Sequence, residues 1–353
     1  MFVAVRDLRF AKGRFALMGA VIVLITLLVG LLSGLTAGLA QQNISAITGL
    51  PADRLAFSAP LADRPLSFSD SSVTDQQAAG WAATPGVTSA NPVGIAPSRA
   101  VAGDHTVPVA AFGVPVGSEL APGEVTDRGV VLSAAAATAL DAGPGDQVVL
   151  GGQPLVVAGV HGDASYSHLA VVWTSLPAWR LATGQTATVV ALRVSSSIDT
   201  GAIDARLGTK TVSVSDSLSA IGSYVAENSS LTLMRGFLFA ISALVVGAFF
   251  MVWTIQRGGD IAVLKALGAS TGSLLRDALG QALALLTAGT ALGTAVAAGI
   301  GVALSGSTVP FLLTPDTVLV PAATMIALGV LGAGLSVRRI TSVDPLTALG
   351  SAR

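Results

Sequence analysis

Four stretches of this chain, at 15–39, 231–255, 279–304 and 318–335, are almost free of charged residues and long enough to cross a membrane. At 1.5 Å per helical residue, about 20 residues span a hydrocarbon core roughly 30 Å thick. No water is present there to satisfy backbone N–H and C=O groups, so each stretch is expected to be a helix. The whole composition agrees: 52% of the 353 residues are hydrophobic and only 11% charged. The first stretch follows a basic start, as a signal peptide would. Its apolar core far exceeds the roughly 7–15 residues of a signal h-region, so it reads as a retained helix.

Lys and Arg near the helix ends set the expected orientation. Arg6, Arg9, Lys12 and Arg14 precede the first helix, Arg257, Lys265 and Arg276 lie between the second and third, and Arg338 and Arg339 follow the fourth. The long segment 51–230 carries 8 basic and 15 acidic residues, the opposite bias. The expected fold class is a membrane protein of four transmembrane α-helices, with one α+β extracellular domain inserted between helices 1 and 2. The expected layout is an interfacial cytoplasmic helix at 1–14, spans at 15–40, 228–256, 275–306 and 317–337, and an external domain at 41–227. A cytoplasmic coupling loop at 257–274, a short external loop at 307–316 and a cytoplasmic tail at 338–353 complete it. The chain is thus expected in the plasma membrane, multi-pass, with both termini cytoplasmic.

Within 41–227 the runs VVL, QVVLGG, PLVVAGV, LAVVW and TATVVALRV are short and β-branched, separated by Gly and Pro turns, as strands are. Helical patches such as 133–140 make the domain α+β. The segment 71–106, punctuated by Pro, Gly and Ser, reads as long loops. Cysteine is absent, so no disulfide supports the domain and its own core must suffice.

Few residues suggest chemistry. Gly30, Gly34 and Gly38, like Gly289, Gly293, Ala297 and Gly301, recur every fourth position and so share one face of a helix. Such a face serves either helix packing or a seam where a partner or flat ligand approaches closely. At the outer mouth of the second helix Tyr224 and Glu227 are three residues apart, on one face if the helix has begun. Both offer oxygen to a ligand; alternatively Glu227 is solvated or caps the helix. Arg235, two turns deeper, either meets an anionic group or snorkels outward. Residues 260–267 form a short amphipathic piece ended by Gly268, suited to dock on a cytoplasmic partner. His105, His161 and His168 read as surface or hydrogen-bonded histidines without metal-ligand spacing. There is no G-x-x-x-x-G-K-[ST] loop, no nucleophile elbow and no HExxH, so no catalytic residue is assigned and any ATP must bind another chain.

The layout, the loop RGGDIAVLKALGAS and the tail VRRITSVDPLTALGSAR together resemble the FtsX-like, MacB-type permeases of ATP-binding-cassette transporters. That resemblance implies a homodimeric permease in the lipid bilayer carrying two ATPase subunits, with Asp260, Leu264, Lys265 and Leu267 as contacts in the coupling loop. It implies a transporter subunit, not an enzyme, with no intrinsic cofactor and no nucleic-acid partner. KGRFALMGAVIVLITLLVGLLSGLTAGLAQQNISAITGLPADRLAFS and SYVAENSSLTLMRGFLFAIS are similar to haem-exporting permeases of the HrtB type. The implied ligand is haem, with Glu227 or Tyr224 supplying oxygen to its iron, no histidine placed to compete, and the Gly30–Gly34–Gly38 face as a flat slot beside the partner protomer. Related permeases instead export peptides or antibiotics, or transmit force to external partners, so the family alone does not fix the cargo.

Overall fold

The computed structural model describes residues 12–61, 64–195, 198–256, 263, 267–304, 306–307 and 309–338. The interfacial helix expected at the start and the tail after 338 fall mainly outside the described residues, as do Asp260, Leu264 and Lys265 of the coupling loop. The chain divides into two compact units, one of residues 1–38 and 230–353, the other of residues 39–229.

The first unit is helical. Its elements are α1 (Lys12–Thr48), α7 (Gly222–Gln256), α8 (Thr271–Leu304) and α9 (Pro315–Arg338), with residues 39–48 of α1 and 222–229 of α7 belonging to the second unit. All four are long and apolar enough to cross a membrane. Their interior is small: Met18, Ile22, Val246, Phe250, Ala282, Leu286 and Ala333 form its core. Close approach is achieved through glycine instead. On α8, Gly289, Gly293, Ala297 and Gly301 are all buried, and a Cβ on Gly289 or Gly293 would lie 2.7 Å from Ile22 Cγ2 or Val23 O of α1. Gly332 of α9 meets Ala243 and Gly247 of α7 in the same way. Such small-residue seams bring backbones together where lipid supplies no hydrophobic drive.

The second unit is built on strands β1 (Arg54–Ser58), β2 (Val87–Ala102), β3 (His105–Val114), β4 (Gly129–Leu132), β5 (Gln147–Leu150), β6 (Gln153–Val160), β7 (Ser165–Tyr166), β8 (Leu169–Ser175), β9 (Val189–Val194) and β10 (Thr209–Ser213). They join in the order β10-β1-β9-β2-β3-β8-β4-β6-β5, with β7 on β8 and a further β2–β5 pairing. β3–β8 and β4–β6 are parallel; the other pairs are antiparallel. Short helices α2 (Asp75–Ala82), α3 (Ala134–Leu140), α4 (Leu176–Thr183), α5 (Thr200–Leu207) and α6 (Val214–Ser217) connect them. The five β-branched runs read from the sequence contribute β4, β5, β6, β8 and β9. The expectation of long loops at 71–106 does not hold, because α2 and β2 occupy most of that segment. Pro92 and Pro97 interrupt the β2 pattern without stopping it from pairing with β9 and β3.

Alternation along the strands feeds two cores. Leu55 and Phe57 of β1, Phe112 of β3, Val171 and Trp173 of β8, and Val189 and Ala191 of β9 point into one, together with Ala46 and Ile47 from the end of α1 and Leu50 just beyond it. Their sequence neighbours Ala56, Ala111, Val172, Val190 and Leu192 point into the other, against Trp81 of α2, Leu140 of α3 and Trp179 of α4. Gly94 and Gly113 are register partners on β2 and β3, and a side chain on either would strike the Trp179 indole. The pair forms a slot for that ring, whose Nε1–H donates to Ala111 O at 3.0 Å. Helix ends are capped by Thr74 with Gln77, Ser133, Ser175 and Asp199, which satisfies first-turn N–H groups.

Candidate functional site

The densest polar cluster around a residue singled out from the sequence lies in the second unit, on the last turns of α1, the first turn of α7 and the β7–β8 hairpin. Asn43 is completely buried near the end of an apolar helix, so its amide must find partners. Its Oδ1 accepts from Ser223 Oγ at 2.8 Å, and its Nδ2–H donates to Glu227 Oε2 at 2.6 Å. Ser223 Oγ is in turn 2.8 Å from Ser167 Oγ. The amide orientation follows from chemistry: turned over, its oxygen would face the carboxylate with no proton between them.

The hairpin delivers a third group. Ser167 and His168 both have positive φ, 50° and 63°, the conformation of a two-residue type I′ turn joining Tyr166 to Leu169. Neither is glycine, so the turn is strained, and two backbone bonds hold it: Ser167 N–H to Asn43 O and His168 N–H to Gln42 O, each 3.1 Å. This sets His168 Nε2 at 3.0 Å from Glu227 Oε2 and 2.9 Å from Asn43 Nδ2. The imidazole meets the carboxylate as a donor only if Nε2 bears the proton, and the contact with the Asn43 amide is then donor against donor, without a bond. In that tautomer one carboxylate oxygen of Glu227 is held from two sides. The other, Oε1, makes no hydrogen bond to a described residue, and the side chain keeps 30% of its surface exposed.

The remaining candidates distribute unevenly. α7 has begun by Gly222, so Tyr224 and Glu227 do share a helical face, but the Tyr224 ring packs against the apolar core of the sheet unit. Arg235 is half-buried in the helical unit and forms no ion pair with a described residue. Leu267 is 80% exposed beside Gly268, which takes φ 94°. His168 is exposed and hydrogen-bonded, as a histidine without metal-ligand spacing is expected to be, but the expectation that no histidine stands near the Glu227 carboxylate does not hold, because the hairpin turn sets its Nε2 against Oε2. Asn43, Ser223 and Ser167 carry no signal in the sequence: Asn43 follows Gln41 and Gln42 in a polar stretch just past the apolar run.

The Gly30–Gly34–Gly38 face is not the open slot expected for a flat ligand. Side chains at Gly34 and Gly38 would strike the Phe311 ring and Pro310, and Gly30 faces Ala297 with 3.0 Å left for a Cβ. Leu312 N–H donates to Gly34 O at 3.0 Å, fastening the α8–α9 connection onto the same face. The cavity that remains beside Thr26, Gly30, Gly34 and Phe311 is about 20 Å³, room for about one water. Close packing within the chain has used the surface a macrocycle would need.

Comparison with known proteins gives the same architecture. Residues 17–210 match the MacB-like periplasmic core domain and residues 232–345 the FtsX-like permease C-terminal domain. A hemin transport system permease protein HrtB of Staphylococcus haemolyticus is 31% identical over 194 residues, 55% of each chain; the chain thus spans about half the length of the curated hemin permeases it matches. An ABC transporter permease of Mycobacterium tuberculosis is 30% identical over 286 residues, 76% of each chain. Among solved structures, the extracellular domain of the ABC-type transporter YknZ from Gram-positive bacteria aligns with 46% of this chain and 98% of its own, at 17% identity and a TM-score of 0.36. With four membrane-length helices, a MacB-like domain between the first two and an FtsX-like C-terminal part, the chain belongs to the FtsX/MacB-type permeases of ABC transporters.

Proposed function

We propose that this permease exports haem from the membrane, as a homodimer served by two copies of a separate ATPase subunit, with both termini in the cytoplasm. The observation that carries the reading is the Glu227 carboxylate at the start of α7, one oxygen held by Asn43 and His168 and the other uncommitted. The 31% identity to a hemin permease supports it. A carboxylate positioned by two donors keeps a fixed direction without losing its capacity to bind a cation. Oε1 would meet the ferric iron, with the Tyr224 hydroxyl as the second candidate oxygen, since tyrosinate is an established axial ligand. Arg235 would attract a haem carboxylate. ATP-driven closure of the partner ATPases, transmitted through Asp260, Leu264, Lys265 and Leu267, would shift the helices between two arrangements and release the cargo outward. The permease makes and breaks no covalent bond.

The test is a haemin titration of the purified chain in detergent, followed by Soret absorbance. Saturable binding is expected, weakened at least tenfold by Glu227→Ala and less by Tyr224→Phe. Absorbance that never saturates, or that ignores both substitutions, would overturn the assignment.

A further inference from the structure

Three polar atoms in the cluster at the start of α7 converge without a hydrogen-bonding pattern that satisfies them all. The terminal amide atom of Asn43 lies 2.6 Å from Glu227 Oε2 and 2.9 Å from His168 Nε2, and the third edge of the triangle, His168 Nε2 to Glu227 Oε2, is 3.0 Å. With the carboxylate ionised, no placement of protons makes all three edges hydrogen bonds. If Nε2 carries a proton, it faces the Asn43 N–H donor against donor. If it carries none, its lone pair faces a lone pair of the carboxylate. If the amide is turned over, its oxygen meets the carboxylate oxygen instead. A cation bound to all three atoms removes the conflict, because each then directs a lone pair at the same point. Two ligands about 2.1 Å from one ion stand about 3 Å apart when their bonds meet at right angles, close to each edge of this triangle.

The surroundings suit that role. His168 Nδ1 is 3.4 Å from Gln42 Oε1, a carbonyl acceptor of the kind that orients a metal-bound imidazole with Nε2 unprotonated. With the Asn43 amide turned over, Oδ1 faces the ion and Nδ2–H donates to Ser223 Oγ, 2.8 Å away, which donates in turn to Ser167 Oγ, also at 2.8 Å. The turn gives up only a 3.4 Å contact with Leu39 O. The His168 and Glu227 side chains keep 37% and 30% of their surfaces exposed, so water and an ion reach them. Among the described residues no three His, Cys, Asp or Glu gather at one point; the third donor here is an amide oxygen, and the remaining positions fall to water.

From this arrangement we infer that Asn43 Oδ1, His168 Nε2 and Glu227 Oε2 bind one divalent transition-metal ion of the Zn²⁺ class. One nitrogen and two oxygen donors favour such an ion over Mg²⁺, which prefers oxygen and gives up its water reluctantly. Haemin is not needed for the ion to bind. Oε1 stays uncommitted, so the ion and the proposed haem ligand share a residue but not an oxygen atom.

Isothermal titration calorimetry of the purified chain in detergent, without haemin, tests the site with ZnCl₂ and MgCl₂. One Zn²⁺ per chain is expected to bind, with Mg²⁺ at least tenfold weaker. His168→Gly, a replacement that accepts the φ of 63° at this turn, should weaken Zn²⁺ at least tenfold. Asn43→Asp separates a metal site from a merely hydrogen-bonded cluster. It sets a second carboxylate against Glu227, so the metal-free variant should unfold at a lower temperature, while Zn²⁺ should bind it at least as tightly as the unaltered chain and restore the midpoint. Zn²⁺ binding that is absent, matched by Mg²⁺ or unchanged in His168→Gly would overturn the assignment, as would an Asn43→Asp protein that Zn²⁺ does not stabilise. Because the heat is read without haemin, failure here leaves the Soret titration, and the haem reading with it, untouched.

Discussion

The two units solve the problem of folding an alanine- and glycine-rich chain in opposite ways. The sheet unit buries large side chains on both faces: Phe57, Phe112 and Trp173 in one core, Trp81 and Trp179 in the other. It carries its own stabilising apolar area. The helical unit turns most of its large residues outward, with Leu244 at 72% exposure and Leu335 at 73%, and its spans are only 17–28% buried. Its apolar mass matches a hydrocarbon surrounding, and its internal fit depends on glycines. Size is therefore the critical variable in one unit and smallness in the other.

The sharpest way to break this contrast is Trp179→Ala, which empties the slot formed by Gly94 and Gly113. A loss of about 3–5 kcal/mol is expected, read as a lowered unfolding midpoint of the purified chain. In the helical unit the corresponding damage comes from enlargement. Gly301→Leu, placed against Phe311 and Leu313, should cost about 1–3 kcal/mol by overpacking. Leu244→Ala, an equally drastic change in volume at an outward position, should shift the detergent unfolding midpoint by no more than about 0.5 kcal/mol. If Leu244→Ala proved the more damaging, the account of the helical unit would be wrong.

The polar cluster at the start of α7 offers a separate test. Asn43→Ala leaves Glu227 Oε2 with one donor fewer in a largely buried setting, at a cost of about 1–3 kcal/mol. It should also weaken haemin binding, because the carboxylate loses its fixed direction; a haemin titration unchanged by this variant would separate Asn43 from function. The smallest expected effect concerns Tyr166, whose phenol burial pushes well above its ordinary value. The unfolded chain releases that proton at lower pH than the native one, so this contribution to stability is intact below the ordinary phenol range and declines as pH rises through and beyond it. Tyr166→Phe should flatten the alkaline fall of the unfolding midpoint, and an identical slope in both proteins would refute the assignment.

How far each feature could be read in advance follows from the range of the interaction behind it. The apolar spans and the β-branched runs are local patterns, and all of them form the expected kind of element. β2 escaped notice because Pro92, Pro97 and small residues erase its alternation, while pairing with β3 and β9 from distant parts of the chain supplies what local propensity lacks. Glu227 stood out as a charge at the edge of an apolar run. The partners that orient it come from positions 184 and 59 residues earlier in the chain, and no periodicity links them.

The sequence by itself determined the membrane character, the number of long apolar helices, the single inserted domain and the small-residue faces, because each depends on hydropathy or spacing within one segment. Only the tertiary structure decided what those faces meet. Gly30, Gly34 and Gly38 look equally fit for a ligand or for a helix until Ala297, Pro310 and Phe311 are seen filling the space. His168 is an unremarkable histidine until two residues with positive φ turn it toward Glu227. Steric contact and hydrogen bonding act over a few ångströms in space, whatever the separation along the chain, and a linear pattern does not record that distance.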